Sequence, residues 1–91
     1  MSVTVLIPTP LRKLTGDQDT VVVEANTVDE MVVALDTAFP GIAGRLRDES
    51  GNLRRFINIY LNEEDIRFLQ GRETALKDGD SVSIVPAIAG G

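Results

Sequence analysis

The 91-residue chain contains no cysteine and no histidine. Without cysteine there is no disulfide framework, no thiolate nucleophile and no Cys-ligated zinc. Without histidine there is no Ser-His-Asp triad and no His-ligated metal. The side chain most often used as general acid or base near neutral pH is missing too. The carboxylates, lysines and single tyrosine that remain show no catalytic spacing. The composition therefore argues against an independent enzyme, and it supplies no catalytic or metal-binding residue. Positive charge is also scarce, with 9 Lys and Arg against 14 Asp and Glu, a formal net charge of −5. A nucleic-acid binder needs a basic face, and an acidic protein is repelled by anionic lipid, so neither nucleic acid nor membrane is expected as a partner. No apolar run approaches transmembrane length, and Met1-Ser2-Val3-Thr4 lacks the charged start of a signal peptide. The cytoplasm is the default location.

What is present fits one globular domain with a modest core. Residues 2–7 alternate as a strand, with Val3, Val5 and Ile7 on one face. Pro8 and Pro10 end it and stiffen the connection through Leu14. Residues 20–25 read as a second strand, joined to the first as a hairpin, with Val21 and Val23 inward and Val22 ambiguous. Thr27-Val28-Asp29-Glu30 is a capping box. Behind it Val28, Met31, Val32, Leu35, Ala38 and Phe39 form one apolar helix face, ended by Pro40-Gly41. Residues 42–46 form a short helical turn. Arg45, Arg47, Arg54 and Arg55 could make a phosphate or partner patch, but the interleaved Asp48 and Glu49 favour a solvated, self-screened surface.

Residues 56–62 give the clearest strand, with Ile57, Ile59 and Leu61 on one face and Phe56, Asn58 and Tyr60 on the other. Residues 62–65 turn the chain, and Ile66-Arg67-Phe68 reads as a short returning strand. The acidic turn lacks calcium-loop spacing and is hairpin polarity. Leu76-Lys77-Asp78-Gly79-Asp80 is a further turn, before a β-branched strand at 81–85. Periodicity alone supports an α+β domain.

The chain then ends Pro86-Ala87-Ile88-Ala89-Gly90-Gly91. Pro86 has no N–H to donate, so the sheet ladder is expected to stop there, dividing a folded domain at 1–86 from a flexible tail at 87–91. Two terminal glycines make a narrow thread, able to enter a channel that would reject any side chain. The reactive group on it is the Gly91 carboxylate. Gly90-Gly91 alone would read as a frayed terminus, but direct exit from a well-patterned strand and an apolar Ile88 point to a purpose.

Two blocks carry a family resemblance: Asp78 through Pro86 followed by Gly90-Gly91, and Asn58-Ile59-Tyr60-Leu61-Asn62-Glu63-Glu64-Asp65-Ile66-Arg67-Phe68 with Gly71 and Thr74. Together they resemble the ubiquitin-like sulfur carriers of the MoaD and ThiS group, and most of all its cysteine-biosynthesis members. The resemblance implies a β-grasp fold, a mixed sheet of about five strands on one main helix. It implies that an E1-like adenylating enzyme uses ATP and Mg²⁺ to activate Gly91, after which a sulfur donor leaves a thiocarboxylate. The chain itself then binds no cofactor and acts as a co-substrate. The cysteine-biosynthesis branch further implies a PLP-dependent cysteine synthase and a metallopeptidase as partners. Gly90, Ala89 and Ile88 would be read by the activating enzyme, and Phe56, Tyr60 and Val85 would form an exposed partner face. The small subunit of molybdopterin synthase and a protein modifier forming isopeptide bonds share the same terminus. A thiazole-forming carrier and a plain interaction module fit it less well.

Overall fold

Alternating burial in the first two strands sets the sheet. The computed structural model describes residues 1–86. In β1 (Ser2–Leu6), Val3 and Val5 are buried while Leu6 is exposed. β2 (Thr20–Glu24) pairs with it antiparallel, from Ser2 opposite Glu24 to Leu6 opposite Thr20. That register turns Val21 and Val23 inward and leaves Val22 63% exposed, which resolves the ambiguity of the triple valine. A 3-10 helix, Thr9–Leu14, fills the connection, with Pro10 in its first turn and Leu11 buried.

α1 (Val28–Ala38) starts where its caps place it. The Thr27 hydroxyl accepts from the Glu30 N–H at 3.1 Å. The Glu30 carboxylate reaches back to the Asn26 N–H at 3.1 Å, one residue beyond the usual box. Val28, Met31, Val32 and Leu35 are buried on the sheet side. Ala38, expected on that face, is exposed on the last turn, and Phe39 is half-buried against the core. Asp36 accepts from the N–H groups of Gly41 and Ala43, both at 3.0 Å, and so starts α2 (Ile42–Leu46). Gly41 sits at φ 101°, a conformation that glycine adopts without strain.

β3 is Ile57–Leu61, one residue shorter at each end than the sequence suggests. Phe56 lies in the turn before it. Asn62 and Glu63 come next, with φ of 49° and 77°, the pattern of a two-residue hairpin turn. The returning strand β4 is therefore Glu64–Asp65, not residues 66–68. The Asp65 carboxylate accepts from the Arg67 N–H at 2.9 Å and starts a 3-10 turn, Ile66–Phe68. A strand would have put Ile66 and Phe68 on one face; the turn separates them, burying Ile66 and leaving Phe68 82% exposed.

β5 (Ser81–Pro86) runs through the centre, giving the order β2-β1-β5-β3-β4. It is parallel to β1 and antiparallel to β3. Its entry is clamped at several points. Asp78 accepts from the Ser2 N–H at 2.8 Å, Asp80 from the Lys77 N–H at 2.8 Å, and Asn62 bridges Asp80 and the Ser81 N–H at 3.0 and 2.9 Å. Thr74, buried, ties the preceding loop to the helix through its carbonyl, which accepts from the Val28 N–H at 3.1 Å. The result is a β-grasp fold, a mixed five-stranded sheet with α1 packed on one face.

Candidate functional site

Strand β5 delivers the chain to one pole of the sheet. Its last residue, Pro86, faces Ile57 in the final pair of the β3–β5 ladder. Residues 87–91 come after it, and Ile88, Ala89, Gly90 and Gly91 lie outside the described residues. The structure places the root of that segment: the central strand, held on both sides, ending beside the turn that carries Phe56.

The sheet face opposite α1 runs up to this root. Tyr60 is opposite Ser83, Asn58 is opposite Val85, and Leu6 is opposite Ser83 from the other side. Tyr60 and Val85 are therefore diagonal neighbours on one face, within reach of each other across β3 and β5. Val85 is 42% exposed and Tyr60 half-buried. Leu6 and Val22 extend the same face, with Val22 opposite Thr4. Neither was expected there from the sequence. The available signal was an apolar residue at an outward position of an alternating strand.

Phe56 is brought near the root by a different route. It is exposed in the turn ahead of β3 and lines a groove with Pro86 and Ile57, at the pole and not beside Tyr60 in the middle of the face. The four arginines that the sequence grouped also separate. Arg47 pairs with Asp29 at 2.8 Å and ties the loop after α2 to α1. Arg45, Arg54 and Arg55 form no ion pair among the described residues.

Two carboxylates away from the root are electrostatically held. The Arg67 side chain grips Asp65 with both oxygens engaged, and its hydrogen bonds hold the Asp65 carboxyl below the usual range. Hydrogen bonding from Asn62, with the Lys77 N–H, does the same for Asp80. Both pairs are structural clasps at strand ends. Among the described residues no cluster of His, Cys, Asp or Glu could hold a metal ion, and no helix is long and apolar enough to cross a membrane.

The β-grasp sheet with its central strand is shared with known proteins. The ThiS family pattern matches residues 5–91. The chain belongs to the ThiS family. It is 50% identical over 93 residues to the sulfur carrier protein CysO of Mycobacterium tuberculosis, covering 100% of both chains. It is 40% identical over 65 residues to small archaeal modifier protein 3 of Haloferax volcanii, covering 71% of this chain and 70% of that one. Among solved structures, a chain in the Amycolatopsis orientalis BexX/CysO complex superposes with a TM-score of 0.92 at 47% identity, covering 98% of this chain and 99% of that one. The ThiS family match runs through Gly91, so it spans the terminal residues as well as the sheet that precedes them.

Proposed function

We propose that this ThiS-family protein is a sulfur carrier for cysteine biosynthesis whose chemistry is confined to Gly91. At neutral pH a terminal carboxylate is ionised, with an ordinary pKa of about 3.3–3.7, and is a poor electrophile. Activation is needed before any nucleophile can attack it. An E1-like enzyme, holding ATP and Mg²⁺, joins the Gly91 carboxylate to AMP and releases pyrophosphate. A sulfur donor displaces AMP, leaving a thiocarboxylate on Gly91. That group is a tethered sulfide, and in this reading its sulfur bonds to Cβ of an activated serine on a PLP-dependent cysteine synthase as the serine's leaving group departs, giving a thioester. The cysteine amine then attacks the thioester carbonyl, freeing the thiol and forming an amide, and a metallopeptidase hydrolyses that amide to release cysteine and the Gly91 carboxylate. The catalytic groups belong to the partners, which suits a chain without cysteine or histidine. The reading carries a cytoplasmic location, because activation consumes ATP.

The observation that carries the reading is the 50% identity, over both full chains, to a protein named a sulfur carrier. The fold supports it in that the central strand of the sheet ends at Pro86; in this reading Ile88, Ala89 and Gly90 are the thread read by the activating enzyme. Tyr60 and Val85, widened by Leu6, form the docking face, and Phe56 adds an exposed aromatic at the pole. The similarity to a small archaeal modifier favours one second reading, in which activated Gly91 forms an isopeptide bond with a lysine of another protein. Intact mass of the protein purified from its native cell separates the two. Replacement of one terminal oxygen by sulfur, or a cysteine adduct, supports the carrier; a covalent conjugate with a second protein supports the modifier and overturns the carrier.

A further inference from the structure

The turn ahead of β3 is bordered by three open hollows that share their lining. Arg54 lines all three, and Leu53, Arg55 and Phe56 line two each. Together they form one continuous band, from Pro86 at the pole to Arg67 beyond β4. Core residues Ile57, Ile59 and Ile66 give it an apolar floor, and Phe56, 51% exposed, projects from it. The two β3 isoleucines take the α1 side of the sheet, whereas Tyr60 takes the opposite face with Val85. The band and the sheet face therefore lie on opposite sides of β3.

Charge on the band opposes that of the protein. It holds Arg45, Arg54, Arg55 and Arg67 against Asp48 and Asp65. Four of the 9 cations and two of the 14 carboxylates make it net +2; the remaining 5 and 12 leave net −7 elsewhere. The sequence suggested that Asp48 and Glu49 would screen the arginines. Instead the Asp48 carboxylate accepts from the N–H groups of Ser50 and Asn52, at 2.9 and 3.1 Å, and Glu49 lines none of the three hollows. Arg67 is paired with Asp65, and Arg54 is fixed by donating from Nε to the Gly44 carbonyl at 2.9 Å. Arg45 and Arg55 are exposed and meet no carboxylate among the described residues.

We propose that this band docks an acidic surface of a partner protein, whose carboxylates meet the arginines around an apolar side chain packed on Phe56. Arginine and exposed aromatics are the residues that protein interfaces favour, and a guanidinium fork matches a carboxylate. A small anion would need guanidiniums converging on one enclosed pocket, and here they are spread over three open hollows. A nucleic acid would extend past the band onto the net −7 remainder and be repelled. An acidic protein is likewise repelled everywhere else, so charge sets its docking orientation. If the sheet face receives the activating enzyme as proposed above, the band stays open to a second protein. Its binding does not require that Gly91 carry sulfur.

The test titrates isotope-labelled full-length protein with a capped acidic peptide, Glu-Asp-Leu-Glu-Asp, followed by nuclear magnetic resonance. No ATP or activating enzyme is present, so the outcome is independent of the sulfur-carrier reading. Shifts should gather at the amides of Arg54, Arg55, Phe56 and Arg67 and spare Tyr60 and Val85. Arg45→Gln combined with Arg55→Gln, which breaks no hydrogen bond among the described residues, should weaken binding about fivefold. Salt at about 1 M, where screening acts within about 3 Å, should weaken it sharply. The peptide with Gly in place of Leu, and Phe56→Ala with the original peptide, should each bind more weakly. A peptide that moves no amide of the band overturns the proposal, as does equal binding by the double arginine variant. Equal binding of the neutral peptide Gln-Asn-Leu-Gln-Asn or of the Gly peptide overturns it too. Inorganic phosphate or a short single-stranded DNA moving the same amides at lower concentration assigns the band to that anion and overturns the protein partner.

Discussion

Pro86 faces Ile57 across the last pair of the β3–β5 ladder, so the terminal segment begins at a point fixed by the core. Ile57 is buried, and β5 is held by strands on both sides. The domain therefore supplies a rigid origin, and any reach beyond it belongs to residues 87–91. This geometry separates stability from activity, and the separation can be measured.

Core packing should determine stability alone. Leu35 is fully buried where α1 meets the sheet. Leu35→Ala removes three carbons from a packed interior and should cost about 2–5 kcal/mol. Chemical denaturation of the variant checks this. A loss below about 1 kcal/mol, by the same scale, would mean that α1 does not pack as described.

The helix start should respond in proportion to its cap. Thr27→Ala removes the acceptor for the Glu30 N–H and should cost about 0.5–2 kcal/mol. Thr27→Asn keeps a side-chain oxygen and should recover most of that loss. An Asn variant no better than Ala would contradict the cap.

Acid should weaken the fold through Asp65 and Asp80. Each carboxyl titrates lower in the folded state than its ordinary value of 3.8. The unfolded chain therefore binds more protons in the window below that value, and stability rises with pH across it. In the other direction, the contribution is fully present above about pH 5 and is lost as pH falls through the depressed folded values. Asn62→Ala should flatten this dependence by removing the leading partner of Asp80, and Arg67→Gln should do so at Asp65. Thermal midpoints measured from about pH 6 to about pH 2 check both. An acid limb unchanged in the double variant would contradict the assignment.

The fold was legible in the sequence because its elements obey simple periods. The capping box located α1, and alternation located β1, β2, β3 and β5 to within a residue or two. Legibility failed where local backbone chemistry overrode pattern. Asn62-Glu63 takes two consecutive left-handed conformations, and Asp65 caps the next three residues, so Ile66-Arg67-Phe68 became a 3-10 turn despite its strand-like apolar pattern. The same effect moved Phe56, whose place in the alternation suggested the sheet face; the turn ahead of β3 carries it to the pole instead. The groove beside it joins residues 10–11, 44–45, 54 and 56–57 to Pro86, a proximity no local pattern encodes. Gly91 is proposed as the site on position and family resemblance alone.

Recognition should centre on Tyr60, Val85 and Leu6. Aromatic side chains on partner faces are frequent hot spots, so Tyr60→Ala should cost about 2 kcal/mol or more of affinity for the activating enzyme. Tyr60→Ala combined with Leu6→Ser should weaken binding further, and Phe56→Ala should act separately because it lies at the pole. Binding isotherms with the cognate activating enzyme check this. Unchanged affinity in the Tyr60→Ala, Leu6→Ser variant would move the interface elsewhere.

The central claim is that Gly91 is the atom-bearing end of a carrier, and shortening the chain by one residue tests it most directly. Deleting Gly91 leaves a carboxylate on Gly90 but draws it back by roughly 3.5 Å. Misplacement of even about 1 Å can cost on the order of 100-fold in rate. The deletion removes none of the described core residues, and changes away from the core shift stability by less than about 0.5 kcal/mol. Intact mass after incubation with the cognate activating enzyme, ATP and a sulfur donor should show one terminal oxygen replaced by sulfur in the full-length protein. The shortened protein should be almost uncharged with sulfur, its thermal midpoint unmoved. Sulfur loading of the shortened protein as fast as the full-length one would contradict the account.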